Sequence, residues 1–122
     1  LKEISYIHAE AYPGSELKHG PLALIDSEMP SVVIIPDDEH VSKNVSTVEQ
    51  IQARGGPVIV VTNADLPESL APEAVIRVPR TEPELNPILL TIPLQLFAYH
   101  CSKILGRDID KPRNLAKSVT VE

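Results

Sequence analysis

The sequence has 122 residues, of which 43% are hydrophobic and 23% charged, with a formal net charge of −6. That length suits one domain able to bury a core, and the composition excludes a disordered chain. The acidic balance argues against non-specific binding of nucleic acid, and no apolar run approaches the ~20 residues that span a bilayer.

The single Cys101 has no partner for an internal disulfide, which fits a reduced, cytoplasmic setting. The opening "LKEISYIHAE" shows no initiator Met and no signal-peptide layout. It reads as the middle of a helix, so a longer parent is expected. The charge is uneven. Residues 103–122 hold five basic and three acidic groups, whereas residues 1–102 hold six basic and fourteen acidic. A basic end on an acidic body suits a phosphate or an acidic neighbour, or a solvated mixed-charge tail.

In chain order, Leu1, Ile4, Ile7 and Ala11 recur at helical spacing, and Pro13-Gly14 should stop that helix. Residues 14–22 read as a loop or a short helical turn ending at Gly20-Pro21. "SVVIIP" (31–36) is a short β-branched run closed by Pro, a buried strand. Asp37, Asp38 and Glu39 then suit a helix N-terminus. Val41, Val45, Val48 and Ile51 share one face, Arg54 sits in the last turn and Gly55 caps it. "PVIVVT" (57–62) and "AVIRVP" (74–79) are two further strands. "TEPELNPILLTIPLQLFAYHCSKILG" is a long apolar helix that Pro93 should kink or split.

Strand–helix–strand units with apolar strands imply a parallel sheet covered on both faces. The expected fold is α/β, a partial doubly wound parallel sheet of about three strands flanked by helices. Three strands are few for such a sheet, so preceding sequence or another chain should supply the rest.

The chain has no Gly-rich phosphate loop, metal-ligand spacing or Ser-His-Asp motif, so no cofactor or metal is expected. His8 and His100 sit in helical stretches and suit surface or packing roles; His40 suits a solvated cap region. His19 stands apart. It lies in "ELKHGPLALID", where Gly20-Pro21 fixes the backbone, and an imidazole near its ordinary pKa of about 6.5 can move protons at neutral pH.

The segments "LKEISYIHAEAY", "ELKHGPLALID", "QARGG", "PLQLFAYH" and "RNLAKSVTVE" resemble the C-terminal end of the glutamine–fructose-6-phosphate aminotransferase (isomerising) family, the glucosamine-6-phosphate synthases. The resemblance runs from Leu1 to Glu122 and is strongest at "ELKHGPLALI" and "LAKSVTVE". It implies the later part of the second sugar-isomerase (SIS) subdomain, flavodoxin-like and three-layered, over residues 1–107. Residues 108–122 would be a tail closing over the sugar. Glu3 falls where the family keeps its isomerisation base. His19 falls on the residue assigned to ring opening, lent by the neighbouring subunit of a homodimer. Lys117 falls on the lysine that forms a Schiff base with the open-chain sugar, and Ala116 lies with the sugar-contacting tail. A carboxylate such as Glu3 would be tuned by partial burial.

The resemblance also implies a sugar-phosphate substrate, fructose 6-phosphate yielding glucosamine 6-phosphate, with ammonia drawn from glutamine by a glutaminase domain. That domain and the first SIS subdomain are not in this sequence, so the piece alone is expected to be inactive. Two other readings are a double-SIS phosphosugar isomerase or deglycase and a sugar-phosphate-sensing module without catalysis. A third is a piece that self-associates through an open sheet edge.

Overall fold

The computed structural model describes residues 1–115. Contacts divide the chain into two compact units, one made of residues 11–93 and the other of residues 1–10 with the segment from Leu94 onward.

The expected first helix is cut to α1, Lys2–Ser5. Two local effects end it. Ser5 Oγ donates to the Leu1 carbonyl at 2.8 Å and accepts the Ile7 amide at 3.2 Å, a side-chain competition that disfavours further helix. Tyr6 then takes the left-handed conformation at φ 64°, which costs a non-Gly residue about 1–2 kcal/mol.

In the larger unit the chain continues through two 3-10 turns, Gly14–His19 and Pro21–Leu24. It then enters β1 (Ser31–Ile35), α2 (Val41–Gln52), β2 (Val58–Thr62) and β3 (Ala74–Arg77). The three strands are parallel in the order β1-β2-β3, with Ser31 opposite Val58 and Ile59 opposite Ala74. α2 makes the crossover between β1 and β2. The β2-to-β3 crossover, residues 63–73, has no helix and is held by Leu66 and Leu70 against the core.

The apolar stripe of α2 packs as its spacing predicts. Val48 and Ile51 are fully buried and Val45 nearly so, against Ile35, Val58 and Val60 of the sheet. Each such side chain stabilises the fold by roughly 1.5–3 kcal/mol. The three acids that precede α2 stay outside it. Asp38 Oδ1 accepts the His40 amide at 2.7 Å, a turn that delivers the chain to Val41. At the other end Arg54 donates to the Gln50 carbonyl at 2.8 Å, and Gly55 takes φ 77°.

Both-sided cover of the sheet is not complete. β2 is buried on both faces, but Val32 and Ile34 on the second face of β1 are exposed at 39% and 41%. The described residues therefore cover that face at β2 and leave it open at β1, as an edge strand with a single neighbour allows.

α3 (Asn86–Ile104) runs through Pro93 as one helix, entered by the short 3-10 turn Pro83–Leu85. A proline here removes one backbone donor without ending the helix. The division between the two units falls at this same residue. α3 ends with Gly106 at φ 64°. The Gly106 amide donates to the Lys103 carbonyl and the Arg107 amide to the Ser102 carbonyl, both at 3.0 Å. This is the Schellman pattern that closes a helix on a left-handed glycine.

Candidate functional site

The loop bearing His19 is tied to the core on both sides. Leu17 packs against the core on one side of it, and Leu22 is buried in the core on the other. Between them Gly20 adopts φ 142°, ψ −54°, a conformation open to glycine and strained for other residues. Pro21 then starts the second 3-10 turn with its φ already set. Gly14 lets this loop approach α2, since a Cβ there would lie 3.2 Å from Thr47 Oγ1. The outcome is an exposed imidazole on a loop anchored at both ends.

The carboxyl ends of the parallel strands, where ligands of α/β folds usually bind, carry a polar network that sequence reasoning missed. Asn63, nearly buried, accepts the Asp37 amide at 2.8 Å and donates to Asn86 Oδ1 at 2.7 Å. Thr62 Oγ1 donates to the Ile35 carbonyl at 2.6 Å and accepts the Ala64 amide at 2.9 Å. Above these, Arg80 donates to Asp65 Oδ2 at 2.6 Å and lies 3.1 Å from Asp37 Oδ2. The hydrogen bond to Asp65, then the charges of Asp65 and Asp37, hold the Arg80 guanidinium above its ordinary pKa. The signal available in sequence was a polar run, "TNAD", directly after an apolar strand. Three strand ends are tied together by this network.

The smaller unit holds Glu3. It sits on α1 and is exposed. α1 is only four residues long and is kept in place from outside. Ser102 of α3, fully buried, donates to the Ile4 carbonyl at 2.6 Å, satisfying an acceptor that so short a helix leaves open. Beyond α1, the Arg113 amide donates to the Tyr6 hydroxyl at 2.8 Å. The Arg113 guanidinium stands 4.1 Å from the Tyr6 ring centre and that of Arg107 5.3 Å from it. Both are within cation–π range.

Glu3 belongs to the smaller unit and His19 to the larger, so each is placed within its own unit. Ala116 and Lys117 lie outside the described residues. His8 and His100 are exposed, His8 beside Glu10 and His100 edge-on to Tyr99. His40 precedes α2 without a side-chain capping bond. These three fit the surface roles read from the sequence. Among the described residues no helix is long and apolar enough to cross a membrane.

Three parallel strands in the order β1-β2-β3, with α2 as a helical crossover, define a domain of the α/β class. Comparison makes the assignment specific. The family model for the SIS domain matches residues 1–104, and the chain belongs to the SIS domain family. It is 56% identical over 123 residues to the glutamine–fructose-6-phosphate aminotransferase (isomerizing) of Xanthomonas campestris pv. campestris and 53% identical to that of Escherichia coli K12. The match takes in 100% of this chain and 20% of each relative, so the chain spans about one fifth of their length. A solved structure, the C-terminal domain of glucosamine-fructose-6-phosphate aminotransferase from Francisella tularensis, superposes with a TM-score of 0.83. It is 45% identical, over 90% of this chain and 31% of that one.

Proposed function

We propose that this chain is part of the isomerase domain of a glucosamine-6-phosphate synthase, which makes glucosamine 6-phosphate from fructose 6-phosphate and glutamine-derived ammonia. The observation that carries this is the 53–56% identity to such aminotransferases along all of the chain, with "ELKHGPLALI" and "LAKSVTVE" inside it. On this reading residues 1–107 are part of the second SIS subdomain and residues 108–122 the tail over the sugar.

Each step assigns one residue a task that its chemistry suits. A cyclic ketose has no free carbonyl, so His19 moves a proton between the ring oxygen and the anomeric hydroxyl as the ring opens. The Lys117 amine adds to the C2 carbonyl, and water leaves as the imine forms. Ammonia displaces the lysine. Glu3 then removes a proton from C1 and returns it at C2, so a ketose imine becomes a 2-amino aldose. Ala116 lines the sugar. The exposure of Glu3 in this chain fits a site completed by further subdomains and by a second subunit of a cytoplasmic homodimer. The chain by itself should not turn over.

The test is borohydride reduction of an intact synthase carrying this chain, in the presence of fructose 6-phosphate. The expected result is a reduced sugar adduct on Lys117 that Lys117→Ala abolishes. Normal adduct yield from the Lys117→Ala protein would overturn the assignment.

A further inference from the structure

Ser102 on α3 is fully buried, and its hydroxyl bonds outside its own helix. A serine or threonine within a helix commonly donates to the carbonyl four residues back. Thr91, on the same helix, does so, to Pro87 at 2.6 Å. Ser102 donates instead to the Ile4 carbonyl, also at 2.6 Å, across 98 residues of chain. The donor end of this bond is fixed. The Ser102 carbonyl accepts the Arg107 amide at 3.0 Å, within the cap that closes α3 at Gly106. The acceptor end has little order of its own. α1 spans Lys2–Ser5 and closes on two backbone bonds, from the Ser5 amide to Leu1 and from the Tyr6 amide to Lys2, both at 3.0 Å. One such turn is far below the length at which a helix holds itself in water. α1 and this end of α3 belong to the same compact unit, so α3 sets the direction of α1. The residue next to Ile4 is Glu3.

We propose that Ser102 is a positioning residue, whose buried hydroxyl holds the Ile4 carbonyl and thereby aims Glu3 at the sugar. This deepens the reading above and rests on the role given there to Glu3. Helical carbonyls lie nearly parallel to the helix axis, so a bond to the Ile4 carbonyl fixes the tilt of α1. The Cα atoms of Glu3 and Ile4 are about 3.8 Å apart, and that tilt passes directly to the Glu3 side chain. Among the described residues no ion pair holds the Glu3 carboxylate, so its aim depends on its backbone. A general base must come within hydrogen-bond reach of the proton it takes. A misplacement of about 1 Å can cost about a hundred-fold in rate. Ser102 touches no reacting atom in this scheme. Its effect falls on the proton transfer at C1, and the affinity for sugar phosphate is left alone.

The experiment compares an intact synthase carrying this chain with its Ser102→Ala and Glu3→Gln variants. It measures kcat and KM for fructose 6-phosphate, and the isotope effect on kcat with fructose 6-phosphate deuterated at C1. Alanine is a better helix former than serine, so Ser102→Ala removes the hydroxyl and keeps α3. It should lower kcat about ten-fold, with KM within about two-fold of the parent. The isotope effect should rise, because slower proton transfer comes closer to limiting the rate. A loss of folded protein would lower kcat without moving the isotope effect. A kcat within about two-fold of the parent, or an isotope effect no larger than the parent's, would overturn the inference while leaving Glu3 as the base. If Glu3→Gln keeps at least half of the parent kcat, the role of Glu3 fails instead, and with it the reading on which this inference rests.

Discussion

Replacing Asn63 by Leu tests whether the buried polar network holds the carboxyl end of the sheet. Leu has nearly the shape of Asn but neither donor nor acceptor. The change leaves Asn86 Oδ1 without the partner that sits 2.7 Å away in a buried setting. It also leaves the Asp37 amide, part-buried, without its acceptor at 2.8 Å. A stranded buried group costs about 1–3 kcal/mol, and the half-wet Asp37 amide about 1 kcal/mol. The sum is about 2–4 kcal/mol, or roughly 30- to 1,000-fold faster local opening. Native-state hydrogen exchange of the β2 amides, in an intact protein carrying the chain, reads this directly. Asn63→Leu combined with Asn86→Leu removes both members of the buried pair. The double change should therefore cost about 1–3 kcal/mol less than the two single changes added together. A single-variant loss under about 0.5 kcal/mol, or strict additivity in the double, would refute the reasoning.

Other changes separate steric from conformational effects. Gly56→Ala places a Cβ 2.4 Å from Ile25 Cγ2 and 2.8 Å from Ile51 Cγ2. Ile51 is fully buried and cannot retreat, so urea unfolding should show a loss of about 1–3 kcal/mol. Gly20→Ala meets no atom within 4 Å, yet its φ of 142° is strained for alanine. Its expected loss of about 1–3 kcal/mol is wholly conformational, and an unchanged thermal midpoint would argue that the loop beside His19 relaxes freely. Arg80→Met removes both ion pairs at the strand ends, but these are exposed. Its urea midpoint should therefore stay close to that of the parent protein.

How much of this was legible in the sequence differs by element. The stripe Val41, Val45, Val48, Ile51 and the β-branched runs of β1, β2 and β3 rest on short-range periodicity, and the structure keeps them within a residue or two. Pro93 was expected to kink or split the last helix. α3 is not split, because one lost donor in a nineteen-residue helix is outweighed by the turns on either side. The first helix failed for the opposite reason. Its apolar spacing was real, but Ser5 drew backbone bonds to its own side chain and Tyr6 left the helical region.

The same division holds for the site. His19 was legible because Gly20 and Pro21 beside it announce a fixed turn. Asn63 and Arg80 were not, since the partners of Asn63 lie 26 and 23 residues away and those of Arg80 come from two different loops. The sequence alone determined the parallel α/β class, the anchored histidine loop and, through its resemblance, the candidate roles of Glu3, His19, Ala116 and Lys117. Only the tertiary structure decided that Glu3 stands exposed on a four-residue helix and that Tyr6 meets Arg113, 107 residues along the chain. Periodicity reports which side of an element meets the core. It carries no information about a hydrogen bond or cation–π contact between residues that only folding brings together.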